Sequence, residues 1–241
     1  MEPEISGQGR RLLIIVGLSF LSCTLFVVVR FSLTHKFAQG YLVWNLLLAA
    51  VPVLVAWLAD GQARLMDTRG VRVARRKLAG AGFFVLWLVF YPNAPYIFTD
   101  FIHVVRRAGL GQLAANWLSE YDLLWYDIVM NSAFAFVGHF LGLVSMYIMH
   151  GTMLGLFGRV AGWLLMVPAI VLSGFGIHLG RFSRFNSWDL ALYPFDSFRV
   201  MVRSMFDPAA LLFSMAFSLF IAITYIMFYV VIRLESRTAT R

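Results

Sequence analysis

Two stretches of the chain gather side chains able to move protons, hold ions or grip a phosphate. The first reads Tyr91-Pro92-Asn93-Ala94-Pro95-Tyr96-Ile97-Phe98-Thr99-Asp100-Phe101-Ile102-His103. Its two prolines remove two backbone donors and push the residues before them, Tyr91 and Ala94, away from helical geometry, so a helix entering here must break. Asn93 and the Tyr96 hydroxyl are placed to satisfy the freed backbone groups, and Thr99 is placed to cap a new short helix. On that helix Asp100 and His103 stand i, i+3, on one face. A carboxylate and an imidazole at this spacing can share a divalent metal ion, as in the carboxylate-x-x-His sites of helical bundles. They can also act as an acid–base pair, or close a hydrogen-bonded helix end that binds nothing.

The second stretch runs from Gly174 to Asp189 and contains His178, Arg181, Arg184, Asn186 and Asp189 among Phe182, Phe185 and Trp188. Arg181 and Arg184 share a face if the helix before them continues. Paired guanidiniums suit bidentate binding of phosphate or carboxylate, and the aromatic neighbours suit the headgroup level of a bilayer. Internal neutralisation by Asp189, Asp100 or Asp127 is the alternative use of the same charges. Gly176 and Gly180 form a small-xxx-small step for close helix contact. A third group follows Glu120-Tyr121-Asp122: Asp127 and Asn131, i, i+4 on one face inside an apolar run, and further along His139, which reads as an interhelical hydrogen bonder between Gly138 and Gly142. His35 and His150 read as ordinary loop residues. An ionisable group inside a membrane helix is costly, faces the bundle interior and marks function.

The elements that must position these groups are membrane helices. Of the 241 residues 61% are hydrophobic and only 13% charged, about half the charge of an ordinary soluble domain, and the aromatic content rules out disorder. Charge-free windows near the roughly 20 residues that span a bilayer occur at 12–29, 37–59, 78–98, 123–149, 160–177 and 209–232. The fold expected is all-α: one transmembrane domain over 1–241, with six spans and two interfacial amphipathic helices on the outer face. The first span, although preceded by Arg10 and Arg11, has no small-residue cleavage site after it and is expected to stay in the protein. Cys23 stands alone, so there is no intrachain disulfide.

Most of the 20 basic residues fall on one side if the N-terminus is cytoplasmic: Arg10, Arg11, the loop 60–77 with Arg64, Arg69, Arg72, Arg75, Arg76 and Lys77, then Arg159, Arg233, Arg237 and Arg241. Positive-inside bias therefore favours both termini in the cytoplasm. The net charge of +8 is explained by this bias and by contact with anionic lipid, and nucleic acid is not an expected partner. With this topology the long connections, 92–122 and 178–208, lie on the outer face. Each holds an apolar stripe at helical period: Leu110, Leu113, Ala114, Trp117, Leu118 and Tyr121 in one, and Phe195, Phe198, Met201, Val202, Met205 and Phe206 in the other. Such stripes fit helices lying flat in the interface or packed over the bundle end. Gly151/Gly155 and Gly158/Gly162 predict a tight hairpin between the fourth and fifth spans.

The strings P-N-A-P-Y-I-x-T-D-x-x-H (92–103) and L-G-R-F-x-R-x-N-S-W-D (179–189) resemble the two signature segments of a group of bacterial integral membrane proteins catalogued as a domain of unknown function. The resemblance covers about residues 40–235. It implies a multi-pass protein of the bacterial cytoplasmic (inner) membrane and carries no activity with it.

The H-E-x-x-H, Walker A and G-x-S-x-G patterns are absent, and the Pro-Ser-Gly-His segment of acid phosphatase-type lipid phosphatases is missing too. Three classes of function fit. One is an outward-facing site that binds or processes a lipid-linked, phosphate-bearing substrate, with Asn93, Asn131, Arg181, Arg184, Asn186 and Asp189 binding and Asp100, His103 or Asp127 as acid, base or ligand of a divalent metal. Another is an ion- or proton-coupled transporter using Asp127. The last is a membrane assembly protein whose polar groups only tie helices together.

Overall fold

The computed structural model describes residues 2–37, 39–109, 119–184 and 186–238. Long helices dominate, because in hydrocarbon every backbone N–H and C=O must be paired within its own segment. They are α1 (Glu2–Thr34), α2 (Gly40–Thr68), α3 (Val73–Phe90), α4 (Asn93–Tyr96), α5 (Phe101–Gly109), α6 (Glu120–Phe157), α7 (Arg159–Phe182), α8 (Asp189–Leu192), α9 (Pro194–Met205) and α10 (Pro208–Thr238), with a 3-10 turn at Ile97–Asp100. Six stretches are long and apolar enough to cross a membrane: Ile14–Thr34, Gly40–Thr68, Val73–Ala108, Glu120–Phe157, Arg159–Phe182 and Pro208–Glu235. The chain is an all-α, multi-pass membrane protein.

The third span breaks at the prolines, but not as expected: Tyr91 keeps helical angles, φ −56° and ψ −39°, and donates to Trp87 O, and Ala94 lies inside α4, so neither residue before a proline leaves helical geometry. α3 stops at Phe90, a turn holds Tyr91 and Pro92, and α4, the 3-10 turn and α5 follow in short pieces. Thr99 lies inside the 3-10 turn and not at the cap of a fresh helix, so Asp100 enters α5 directly from that turn. Ser119 opens α6: its hydroxyl and amide meet Asp122 Oδ2 while the Asp122 amide donates to Ser119 Oγ at 3.2 Å, a reciprocal cap of the first turn. α6 has 38 residues, about 57 Å at the α-helical rise, longer than the full bilayer of about 40–45 Å. It therefore carries His150 inside the helix, where a loop residue was expected. His35, just after α1, is the loop residue anticipated, with a positive φ of 52°.

Two compact units divide the residues. The first comprises 1–47 and 97–138, the second 48–96 and 139–241; α2 and α6 contribute to both. The second unit has a core of Phe84, Trp87, Tyr91, Met146, Met149, Met153, Ile221 and Tyr225. Glycines set its close approaches: a Cβ on Gly176 would stand 2.8 Å from Pro92 Cγ, one on Gly142 2.9 Å from the Ala94 Cβ, and one on Gly162 2.7 Å from Leu154 Cδ2. The α6–α7 hairpin turns on Gly158 at φ 87°, in the left-handed region that only glycine enters freely. Gly151 and Gly155 have nothing within 4 Å of an added Cβ; the hairpin contact uses Gly162 and not that pair.

In α9 the apolar stripe looks away from the protein. Phe195 and Phe198 are exposed, whereas Ser197 and Ser204 are buried. This is the arrangement of a helix whose small polar face packs on the unit and whose aromatic face is left for lipid. The helix expected at 110–121 falls, but for its last residues, outside the described residues.

Candidate functional site

The sequence-predicted residues fall into two groups, one in each unit. In the first unit the centre is Asp127, fully buried on α6. Arg30, near the end of α1, donates to it through Nε to Oδ1 at 2.7 Å and through Nη2 to Oδ2 at 3.3 Å. Gln39 Nε2 donates to the same Oδ1 at 3.1 Å. A second guanidinium, Arg107 of α5, places Nε 3.6 Å from Oδ2 with its side chain 14% exposed. Asn131, one turn after Asp127, turns its amide back to the Asp127 carbonyl at 2.7 Å, which is the shared face expected of i, i+4.

Beside this pair lies a second one. Asp100, 1% exposed, accepts a 2.7 Å hydrogen bond from Asn45 Nδ2 on α2, and His103 Nε2 stands 3.9 Å from its other oxygen. Tyr41 joins the two: its ring is 4.8 Å from that of His103, and its hydroxyl lies against the Arg107 side chain. Two guanidiniums thus balance two carboxylates, as the cost of burying charge requires. Hydrogen bonding inside the group is nevertheless incomplete. Among the described residues, Arg107 Nε and Nη2, the Tyr41 hydroxyl, Gln39 Oε1 and Asn131 Oδ1 are buried with no hydrogen bond of good geometry. Buried polar atoms are almost always paired, so such a set marks a place where water or a ligand group belongs.

Asp100 and His103 stay a pair. Among the described residues no three His, Cys, Asp or Glu side chains come together in a group that could hold a metal ion.

In the second unit the two signature stretches meet. Pro92 seats on Gly176, Asn93 Nδ2 donates to Phe90 O at 2.9 Å and to Ser187 Oγ at 3.1 Å, and Ser187 Oγ donates to Val89 O at 2.9 Å. Asn93 and Ser187 therefore supply the donors that the carbonyls at the broken end of α3 have lost. Arg181 Nη1 donates to the Tyr96 hydroxyl at 3.3 Å, with the guanidinium 5.8 Å from the ring centre. Between the stretches lies a cavity of about 220 Å³ lined by Pro92, Asn93, Tyr96, Gly176, Leu179 and Ser187 among others, mostly apolar with polar tips. Asp189 Oδ2 accepts from the Asn186 amide at 2.7 Å, a local turn leading into α8.

Arg184 does not share a face with Arg181. α7 ends at Phe182, and Arg184 sits beyond it, exposed, at φ 53°. His139 bridges helices as expected, with Nε2 2.9 Å from Thr224 Oγ1 and its ring stacked on Phe220. His150, 1% exposed, pairs Nδ1 with the Tyr225 hydroxyl at 2.6 Å; it is a core residue.

Arg30, Gln39, Tyr41, Asn45 and Arg107 were not singled out from the sequence. A signal existed for two of them. Arg107 continues the Asp100, His103 face at i+7, and Asn45 is an amide flanked on both sides by apolar residues inside a span. Arg30, just past the end of the first apolar window, gives no such signal.

A family model described as "Protein of unknown function (DUF1361)" matches residues 44–224, and the chain belongs to that family. No curated protein matches it, and no solved structure does.

Proposed function

We propose that the first unit's buried cluster is an outward-facing site for a phosphate group carried on a lipid, in a protein of the bacterial cytoplasmic membrane with both termini inside. The observation that carries this reading is the unused hydrogen-bonding capacity of Arg107: among the described residues its buried Nη2 has no hydrogen-bond partner, and its Nε is held by Asp127 only at ion-pair distance, 3.6 Å. A phosphate oxygen accepts from such a fork bidentately. The Tyr41 hydroxyl, which lies against Arg107, adds a neutral donor beside it. Asp127 holds Arg30 in place and sets the field in which Arg107 works; Asn131 positions the same turn.

In this reading Asp100 and His103 form the acid–base pair. Asn45 fixes one oxygen of Asp100, and His103, with a side chain 38% exposed, is the member that reaches solvent and exchanges the proton. The second unit's Asn93, Arg181, Asn186 and Asp189 hold the signature stretches in shape, and Arg184 stays on the surface. A cation-coupled transporter is less well supported, because both oxygens of Asp127 already face guanidiniums and a cation would have to displace one.

Dodecyl phosphate is a suitable probe, since it presents a phosphate on an apolar chain, with dodecanol and inorganic phosphate as controls. The full chain in nanodiscs should bind dodecyl phosphate in preference to dodecanol. Arg107→Ala should weaken that preference by at least roughly tenfold, the lower range for a hydrogen bond to a charged group at about 1.5–3 kcal/mol. Equal affinity in wild type and Arg107→Ala would sink the reading.

A further inference from the structure

At the opposite end of α7 from Arg181 a second cationic site is built from three helix ends of the second unit. α6 finishes at Phe157, α7 begins at Arg159, and α10 runs past Arg233. Between them lies a cavity of about 520 Å³ lined by Leu154, Arg159, Trp163, Tyr229 and Arg233, a size within the roughly 300–1,000 Å³ of small-molecule sites. We infer that this cavity binds the phosphate headgroup of an anionic phospholipid from the surrounding bilayer.

Four independent features converge there. Arg159 and Arg233 supply two guanidiniums, and Arg233 is steadied over the Tyr229 ring at 5.2 Å. The N-terminus of α7 adds a positive dipole end: its N-cap is Gly158, with no side-chain cap hydrogen bond, so no side chain of the cap competes for the first-turn amides. Lys77 stands 5.7 Å from the Phe157 ring centre, one turn of α6 from the cavity wall, and keeps the local field positive. Trp163 and Tyr229, whose rings are 5.1 Å apart, form an amphipathic wall of the kind found at headgroup level.

Behind that wall His150 holds Trp163 at 4.4 Å between ring centres. Its Nδ1 is fixed by Tyr225 and its buried Nε2 has no hydrogen-bond partner. A basic pocket between membrane helices beside the polar headgroups is a recognised way of holding anionic lipid. This site shares no residue with the cluster around Asp127, so the two readings fail separately.

The test is native mass spectrometry of the full chain released from nanodiscs containing phosphatidylcholine and phosphatidylglycerol. Wild type should retain phosphatidylglycerol in excess over its share of the bilayer. Each arginine contributes roughly fivefold, from about 1 kcal/mol per basic residue near an anionic surface, so R159Q/R233Q should lose most of the preference while R199Q, at an exposed arginine of α9 outside the cavity, keeps it. Retention that follows bilayer composition, or an undiminished preference in R159Q/R233Q, would overturn the inference. Displacement of the lipid by inorganic phosphate at equal concentration would assign the cavity to free anion and overturn it as well. Should R159Q/R233Q fail to fold, the single variants R159Q and R233Q are read in its place, and an undiminished preference in both overturns the inference.

Discussion

Asp127 is where the energetics are most exposed to a single change. It is fully buried and takes hydrogen bonds from Arg30 and Gln39. Removing one partner of a buried pair leaves an uncompensated charge, at a cost of about 3–5 kcal/mol. Asp127→Asn should therefore lower the denaturation midpoint sharply, because it strands Arg30 and Arg107 together. The double change Arg30→Met with Asp127→Leu removes charge from both sides and should restore part of the loss, as read by the temperature midpoint in detergent. A double variant no more stable than either single one would mean the pair does more than neutralise itself. The working acid–base pair calls for a different readout: His103→Gln should leave the midpoint close to wild type, since its side chain is partly exposed, while abolishing whatever turnover the site supports. A substantial loss of stability would instead make His103 a packing residue.

At the scale of elements, the broken third span is the organising device. Two prolines end α3, and Asn93 and Ser187 repair its last carbonyls, while Pro92 and Ala94 nestle against Gly176 and Gly142. Gly176→Ala and Gly142→Ala should each cost about 1–3 kcal/mol by overpacking. Gly155→Ala, with open space around the added methyl, should stabilise by about 0.5–1 kcal/mol through the better helix former. Paired midpoint measurements on these three variants separate close packing from mere helix propensity. The break and the meeting of the two motifs could be read from the prolines and the small-residue steps. The register of Arg184 could not, because Arg181 and Arg184 share a face only while the helix lasts, and nothing in Phe182-Ser183 announces its end. His150 is misplaced for a related reason: the apolar window closes at residue 149, yet α6 continues through Gly151 and Gly155 and the chain turns only at Gly158.

For the whole molecule, the apolar windows sufficed to identify six membrane crossings, since bilayer thickness dictates their length. The cluster around Asp127 was only half legible. Asp100, His103, Asp127 and Asn131 declared themselves as polar groups in apolar runs, but their partners Arg30 and Gln39 come from distant parts of the chain, and pairing across 97 and 88 positions leaves no periodic trace. Charge distribution predicts the orientation. A cysteine introduced at Arg72, in the loop between α2 and α3, should react with a membrane-impermeant maleimide only in inside-out vesicles, and one at Phe195 of α9 only in right-side-out ones. The native Cys23 is buried and should stay silent in both. Labelling of the two positions from the same side would overturn the topology and the outward direction of the proposed site with it.

The most direct test of the phosphate site is an experimental density map of the full chain in nanodiscs with dodecyl phosphate present. A phosphate should appear within about 3 Å, hydrogen-bond distance, of Arg107 Nη2 and the Tyr41 hydroxyl. A map in which those two groups are satisfied by protein atoms, with no density beside them, would contradict it.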